Sequence, residues 1–329
     1  MGKEILKMEH ITKIYPNGVM ANRDVSFSVR EGEIHALMGE NGAGKSTLMK
    51  ILFGDEDATE GDIIFEGNKI QPKSAADTIR LGIGMVHQHF MLVDSLRVYE
   101  NVILGMEPKN GIMIDKEKAI RAVEETAKKY NLKIDPMAVV GDLSVSQKQK
   151  VEILKVLLRG AKLLILDEPT AGLDPKGRDD ILGLVQKLHN EQGLTIILVS
   201  HSMEDVARYV SRLVVMNHGE KVFDGTPKEV FRHYKELEAI GLAAPQITYV
   251  VHKLIDKGIP LDPDITTVEE AKNAILKIWR EKNGKSSVNA AQVSTAGADS
   301  ENAGHGNAAG TASGNADITE KTAGEEKTC

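Results

Sequence analysis

Residues 34–47 read IHALMGENGAGKST, and this stretch decides the fold. An apolar run at 33–38 leads into glycines at 39, 42 and 44, and a helical pattern begins at Lys45. A strand that turns through glycines into a helix with the pattern G-x-x-x-x-G-K-[ST] is a phosphate loop in its required context. Glycines let the backbone wrap closely around phosphates, while the loop amides and the helix N-terminus supply positive potential. The stretch therefore predicts an α/β fold built around a phosphate-binding turn.

The rest of the chain alternates in the same way. Strand patterns lie at 4–15, 24–30, 62–66, 83–87, 163–167, 195–199 and 213–217, and helical patterns at 74–81 and 176–191. Strands that alternate with helices predict a parallel sheet. Residues 95–160 and 227–281 are predicted to be mostly helical. From Gly284 the composition shifts to Ala, Gly, Ser, Asn and Thr with scattered charge, which predicts disorder.

Composition narrows the class of protein. A hydrophobic content of 41% is enough for a core, and a net charge of −7 gives no support to nucleic-acid binding. The single cysteine, Cys329, excludes a disulfide framework and fits a reducing cytoplasm. No stretch approaches the roughly 20 apolar residues that cross a bilayer, and the N-terminus lacks a signal-peptide core. We therefore expect any link to a membrane to run through a partner.

Two motifs carry candidate chemistry. Lys45 would reach the outer phosphates and Ser46 would bind magnesium. Asp167 ends the buried-strand run 163–167 and would help to hold that magnesium, while Glu168 would orient or activate the attacking water. The phosphate-loop residues predicted to bind the nucleotide are Gly39, Glu40, Asn41, Gly42, Ala43, Gly44, Lys45, Ser46 and Thr47.

Further motifs resemble those of the ATP-binding-cassette (ABC) family, from residue 4 to about 225. The run LSVSQ at 143–147 is similar to that family's signature, usually LSGGQ, and stands about twenty residues before Asp167 and Glu168. The other matches are Tyr15 for the aromatic that stacks on adenine, Gln88 for the Q-loop, Asp174 for the D-loop and His201 for the switch histidine.

The resemblance implies an architecture. It implies a phosphate-loop (RecA-like) core with an antiparallel β subdomain over residues 1–226, and an inserted helical subdomain at about 95–160. A C-terminal helical extension follows at 227–283, and a disordered tail at 284–329. The same resemblance implies an ATPase with ATP and Mg²⁺ as cofactors.

It also implies how the site works. Two cassettes pair head to tail, so that ATP lies between the phosphate loop of one and the signature of the other. The partners are a second cassette, identical or related, and a membrane permease or transmembrane coupling subunit at the cytoplasmic face of a bacterial membrane. The implied catalytic residues are Lys45, Gln88, Glu168 and His201; the metal-binding residues Ser46, Gln88 and Asp167; the signature residues Ser144, Val145, Ser146 and Gln147; and the coupling residue Asp174.

Each match also has an ordinary structural explanation. Tyr15 could be a core aromatic, Gln88 a loop amide and His201 the first residue of a helix. Ser144 and Ser146 could cap a helix from about 146 to 159, which also exposes the helix N-terminus that a signature needs. Val145 and Ser146 replace two glycines, and a side chain at Ser146 narrows the approach to phosphate. LSVSQ is nevertheless similar to the form in simple-sugar importer ATPases.

The chain resembles two branches of the family. Residues 1–160 are similar to the ATPases of simple-sugar and nucleoside importers. Residues 165–280, including GLAAPQITYVVHKLIDKGI, are similar to the A component of energy-coupling-factor transporters for vitamins and metal ions. This suggests a recombined chain joined near 160–170, which separate trees for the two parts would test.

Besides a recombined protein that folds but docks with no permease, two rival functions remain open for such a chain. It could be a non-catalytic subunit that binds ATP and lends its signature to an active partner. It could also be a cytosolic ATPase of translation or DNA repair, a class that usually carries charged linkers or coiled coils. This chain has neither of those features, which favours the transporter interpretation.

Overall fold

The computed structural model describes residues 2–111 and 113–295, with side chains to residue 281. Contacts divide the chain into two units, Met1–Lys277 and Ile278–Cys329. Twelve strands occur in the described part: β1 Glu4–Ile14, β2 Met20–Arg30, β3 Ile34–Met38, β4 Glu60–Phe65, β5 Asn68–Ile70, β6 Ile83–Val86, β7 Lys109–Asn110, β8 Met113–Ile114, β9 Leu163–Asp167, β10 Thr195–Val199, β11 Arg212–Asn217 and β12 Glu220–Gly225.

Helices separate most of these strands. The described α-helices are α1 Lys45–Phe53, α2 Ala75–Leu81, α3 Val98–Ile103, α4 Lys116–Lys129, α5 Val145–Leu158, α6 Pro175–Gln192, α7 Met203–Tyr209, α8 Pro227–Phe231, α9 Tyr234–Ala239, α10 Gln246–Asp256 and α11 Val268–Thr295. A short 3-10 turn, Val140–Asp142, precedes α5.

The central sheet has six strands in the order β12-β11-β3-β10-β9-β6. All its neighbours are parallel except β12, which runs antiparallel at one edge. Every residue of β3, β6, β9 and β10 is buried, because helices cover both faces of a parallel sheet. This explains the unbroken apolar runs in the sequence and confirms the predicted α/β core.

A second sheet of four strands, β2-β1-β4-β5, forms the predicted antiparallel subdomain. Strand β1 alternates buried and exposed positions over much of its length, as expected for a sheet with one face on the core. Its inner residues, among them Leu6, Met8 and Ile11, share a cluster with Leu48 and Leu52 of α1. The antiparallel sheet therefore supports the helix that carries the phosphate loop.

Helices α3, α4 and α5 form the inserted helical region. Val98, Val123 and Leu154, one from each helix, are fully buried in a single cluster. The prediction of mostly helix over 95–160 missed a hairpin, because β7 and β8 pair within it. These strands are two residues each and exposed, which is too short for an alternating pattern to be visible.

The chain beyond residue 226 packs against the central sheet within the first unit. Phe231, Leu237 and Leu242 are buried in one cluster with Ala36 and Met38 of β3. Helix α11 ends at Thr295 in the described part of the chain, and the disorder predicted from Gly284 onward stays a prediction. The rest of the predicted tail, 296–329, lies outside the described residues.

No helix in the described part of the chain has the length and apolar character needed to cross a bilayer.

Candidate active site

The phosphate loop joins β3 to α1 and depends on its glycines. Gly39, Gly42 and Gly44 have φ values of 151°, 85° and 95°, a region that side chains disfavour. A Cβ at Gly39 would overlap the carbonyl oxygen of Met216, and one at Gly44 would overlap that of Ala21. A Cβ at Gly42 would meet nothing within 4 Å, so this glycine lies against open space. The turn is thus held closely on one side and open on the other.

Lys45 is enclosed by this turn, with a relative exposure of 6%. Its Nζ donates to the carbonyl oxygens of Gly39, at 2.7 Å, and Glu40, at 2.9 Å. Burial lowers the pKa of Lys45, and the carboxylates of Glu168, Asp167 and Glu40 act in the opposite direction. The ammonium group is therefore fixed inside the loop rather than extended into solvent.

Asp167, at the end of β9, is a buried carboxylate with a free oxygen. Its relative exposure is 6%, and Oδ1 has no hydrogen-bond partner. Burial raises the pKa of Asp167, the charge of Glu168 raises it further, and a hydrogen bond with Ser46 lowers it. A buried oxygen left unpaired costs free energy, and a hard cation with oxygen ligands would satisfy it.

The residues present therefore fit a magnesium ion shared with a phosphate ligand. The protein alone does not provide a full set of ligands, because no group of three or more His, Cys, Asp or Glu side chains within the described residues could hold a metal. Ser46 and Asp167 supply two protein oxygens, and a bound phosphate and water can complete the shell, which is how Mg²⁺ is usually held.

Glu168 and His201 meet at the ends of neighbouring strands. His201 Nδ1 donates to Glu168 Oε2 at 2.7 Å, while the side-chain exposures are 70% for His201 and 11% for Glu168. Glu168 has φ 48°, a left-handed conformation that is strained for a residue with a side chain. Its backbone N–H donates to Val199 O at 3.0 Å, which ties the strained residue to β10.

A cavity of about 850 Å³ brings most of the predicted residues together, and we call it the phosphate-loop cavity. It is lined by residues 39–42 and 44–47 of the loop and by Gln88, Glu168 and His201. Ala43 and Asp167, with relative exposures of 4% and 6%, are not among the lining residues. Tyr15 also does not line the cavity: its hydroxyl donates to Glu56 Oε2 at 2.7 Å, and Lys13 Nζ lies 5.1 Å from its ring centroid.

The predicted signature lies elsewhere. Ser144 caps α5 with a reciprocal pair of bonds to Gln147, as expected, whereas Ser146 lies within the first turn of that helix. Residues 144–147 line a separate cavity of about 470 Å³, which we call the signature cavity, together with residues 172–174. Asp174 caps α6 through a 2.9 Å bond from Gly177 N–H. None of these residues lines the phosphate-loop cavity.

A third, small cavity lies between β6 and α5. It has a volume of about 160 Å³ and an apolar lining that includes Phe53, Met85 and Met91. Polar bonds from α5 hold the segment that follows Gln88: Glu152 Oε1 accepts from Met91 N–H at 2.6 Å, and Arg159 donates to Leu104 O at 2.8 Å. This small cavity, which we call the groove between β6 and α5, adjoins the stretch 88–105.

Sequence reasoning missed part of the phosphate-loop cavity. Residues 19–21, Met203 and Glu204 also line it, as do Gly241, Leu242, Ala243, Ala244 and Gln246 from the C-terminal helices. The available signal was the breaker pair Gly241 and Pro245, which marks a loop but does not say where that loop lies.

Comparison with protein families agrees with this geometry. The family described as "ABC transporter" matches residues 22–171, and "AAA domain, putative AbiEii toxin, Type IV TA system" matches residues 142–207.

Two curated relatives illustrate the two branches. The energy-coupling factor transporter ATP-binding protein EcfA2 of Clostridium perfringens is 40% identical over 288 residues, covering 84% of this chain and 99% of that protein. The nucleoside import ATP-binding protein NupA of Lactococcus lactis is 43% identical over 218 residues, covering 66% of this chain and 43% of that protein. Both resemblances are confirmed, and each extends across the expected join at 160–170.

Solved structures share the fold. CbiO1 from Clostridium perfringens, described as part of the ABC transporter complex cbiONQ, has a TM-score of 0.63 and 32% identity, covering 76% of this chain and 99% of that one. A bacterial ABC transporter cassette described as dimeric has a TM-score of 0.58 and 29% identity, covering 68% of this chain and 98% of that one.

Proposed function

The chain belongs to the ABC transporter family of ATPases, and on that premise we propose that it powers an importer of the energy-coupling-factor type. The observation that carries the proposal is the extent of the EcfA2 likeness, which covers 99% of that protein. The chain spans only 43% of NupA, so it corresponds to less than half of the nucleoside-importer relative. The cargo of such an importer is a vitamin or a metal ion.

In the proposed site, ATP lies along the phosphate loop. The loop amides and the N-terminus of α1 bind its phosphates, and Lys45 exchanges its bonds to Gly39 O and Glu40 O for phosphate oxygens. Ser46, Asp167 and Gln88 would hold magnesium, which would neutralise charge that develops on the phosphates. Adenine stacks on Tyr15, beside the cavity.

Glu168 is the proposed group that activates water. Its carboxylate is fixed by a strained backbone and by the bond to His201, so little reorganisation is needed when a water arrives. His201 is largely exposed and can turn its imidazole from Glu168 to a γ-phosphate, which lets it sense ATP. The contact between these side chains argues against a non-catalytic partner subunit.

A second cassette completes the proposed site. Because residues 144–147 line a different cavity from Lys45, the signature of one chain serves ATP held by another. The exposed N-terminus of α5 is suited to meet a phosphate. Asp174 shares the signature cavity and is placed to couple the two sites.

The membrane partner is proposed to dock at 88–105, beside the small apolar groove between β6 and α5. Met91, which is 58% exposed, and Leu104, which is 46% exposed, offer apolar surface there. Docking at this segment would place the chain at the cytoplasmic face of a bacterial membrane without a span of its own.

Affinity capture from detergent-solubilised native membranes, followed by mass spectrometry, tests the proposal. We expect a transmembrane coupling subunit together with a small membrane protein that binds a vitamin or a metal ion. Recovery of sugar-type or nucleoside-type permeases instead would favour the second candidate, a simple-sugar or nucleoside importer, which the NupA likeness and the LSVSQ signature support.

A further inference from the structure

A loop of the C-terminal helices forms part of the wall of the phosphate-loop cavity. This loop, for which we take residues 241–246, lies between α9 and α10 and includes Gln246, the first residue of α10. All its residues except Pro245 line the cavity that also contains Lys45, Glu168 and His201. The motifs that predicted the site do not include this loop, and it follows the phosphate loop by about 200 residues in the sequence.

The loop divides into an anchored side and an exposed side. Leu242 and Ala244 have relative exposures of 7% and 2%, whereas Gly241, Ala243 and Gln246 are exposed. The buried pair belongs to a cluster with Met38 of β3 and with Met203 and Val206 of α7. The loop is therefore anchored on the strand that leads into the phosphate loop and on the helix that follows His201.

Both ends of the loop touch these elements directly. Gly241 lies so close to Glu40 of the phosphate loop that a Cβ at this position would overlap the Glu40 carboxylate. At the other end, Gln246 N–H lies 3.5 Å from Glu204 Oε1 in the first turn of α7. If nucleotide binding shifts the phosphate loop or α7, these contacts would therefore move residues 241–246 as well.

Tyr249 of α10 holds the middle of the loop. Its hydroxyl oxygen accepts a 3.1 Å hydrogen bond from Ala244 N–H. The ring packs edge-on against Tyr234, with centroids 5.6 Å apart. Burial raises the pKa of Tyr249, so the hydroxyl keeps its proton at neutral pH. One hydrogen bond thus fixes the backbone between the exposed residues Ala243 and Gln246.

We propose that 241–246 is an additional contact segment of the ATP site, that the Gln246 carboxamide is its hydrogen-bonding group for bound nucleotide, and that Tyr249 positions it. A carboxamide donates to phosphate or ribose oxygens without adding charge. This suits a cavity whose lining already contains the carboxylates of Glu40, Glu168 and Glu204. The inference rests on the proposed ATP site, and it makes the C-terminal helices a determinant of ATP affinity.

Steady-state ATPase kinetics of full-length variants test the proposal. Tyr249→Phe and Gln246→Ala should raise KM for MgATP roughly three- to tenfold, the value of one hydrogen bond, with kcat within about twofold of wild type. The matched controls are Tyr234→Phe, which keeps the aromatic pair, and Lys253→Ala on the exposed side of α10, and both should leave KM unchanged. A loss of kcat and thermal stability without a change in KM, or an unchanged KM in both variants, would overturn the inference.

Hydrogen exchange provides a readout that does not depend on turnover. Addition of MgATP to wild type should slow exchange of the amides of 242–244 and leave those of α8 unchanged. Equal exchange at 242–244 with and without nucleotide would overturn the inference. If wild-type protein neither binds nor hydrolyses MgATP, the proposed site itself fails, which is a separate result from wild-type activity with unaffected variants.

Discussion

Glu168 combines a left-handed backbone conformation with a carboxylate that is bonded to His201. Strain of this kind persists only where surrounding structure imposes it, here the bond from its N–H to β10. Glu168→Gln keeps the shape of the side chain and removes its basicity. We expect hydrolysis to fall about a hundredfold or more, with ATP affinity retained. Phosphate release measures the rate, nucleotide titration measures the affinity, and Glu191→Gln on the exposed face of α6 is the control.

Asp167 illustrates a stability cost at the same site. Because burial raises its pKa above the ordinary 3.8, the charged form is disfavoured in the folded protein when no cation is bound. Asp167→Asn should therefore raise the melting temperature of nucleotide-free protein by about 1–3 °C while abolishing most ATPase activity.

The pH dependence of this gain has a definite sign. The penalty on the carboxylate is fully present above its raised pKa and disappears as Asp167 takes up a proton on acidification. The difference in melting temperature between Asp167→Asn and wild type should thus shrink on acidification, as the pH falls through the raised pKa toward the ordinary value of 3.8. A difference that stays constant or grows on acidification would contradict the assignment.

Most of the site was predictable at this scale because its residues belong to local patterns. Lys45 and Ser46 follow the glycines directly, and Asp167 and Glu168 end a buried apolar run. The contact of His201 with Glu168 follows from the adjacent positions of β9 and β10. The 241–246 loop could not be predicted, because its place beside Glu40 depends on how the C-terminal helices pack and not on any local spacing.

At the scale of elements, the strand before Gln88, β6, packs against α5, the helix that begins at the signature. They meet at Gly84, where a Cβ would overlap Cγ1 of Val156. Gly84→Ala should destabilise the fold by about 1–3 kcal/mol through overpacking. Adding Val156→Ala should recover part of that loss, because the two changes act at one contact. Chemical denaturation measures each free energy of unfolding.

A glycine with room around it provides the control for this pair. Gly183 lies within α6, and a Cβ there would meet nothing within 4 Å. Gly183→Ala should stabilise the protein by about 0.5–1 kcal/mol, the helix propensity difference. If Gly84→Ala has the same stabilising effect, close packing between β6 and α5 is not the reason for glycine at that position.

Long, buried elements were predictable and short, exposed ones were not. The predicted strands β9 and β10 have the observed bounds, since each contains a run of buried apolar residues, and α1 begins at Lys45 as predicted. Strand β12 lies at a sheet edge and its residues are mostly exposed, so its sequence lacks the run or alternation of apolar residues that predicts a strand.

At the scale of the whole molecule, the C-terminal helices belong to the ATPase unit up to Lys277. A chain ending at residue 284 keeps every residue that lines the phosphate-loop cavity, and we expect nearly unchanged ATPase activity. A chain ending at residue 226 loses Phe231 and Leu237, both 1% exposed. Since losing one buried Phe side chain costs about 3–5 kcal/mol, this shorter chain should fail to fold stably. Circular dichroism and ATPase assays distinguish the two truncations, and a large loss of activity in the longer one would contradict the expectation.

The separation of the two cavities leads to the central claim, that a complete ATP site needs two chains. Lys45→Ala removes the phosphate-loop cation, and Ser144→Arg blocks the signature cavity. Each variant alone should be inactive, because every site in its dimer carries the defect. A mixed dimer, however, contains one site with both defects and one with none.

The decisive measurement is the ATPase activity of these two variants after they are co-refolded or exchanged in equal amounts. If the site is shared, we predict recovery of up to about a quarter of wild-type activity, since half of randomly formed dimers are mixed and each has one intact site. A mixture as inactive as its components, with mixed dimers verified by two affinity tags, would show that the signature does not serve ATP bound to the other chain and would contradict the account.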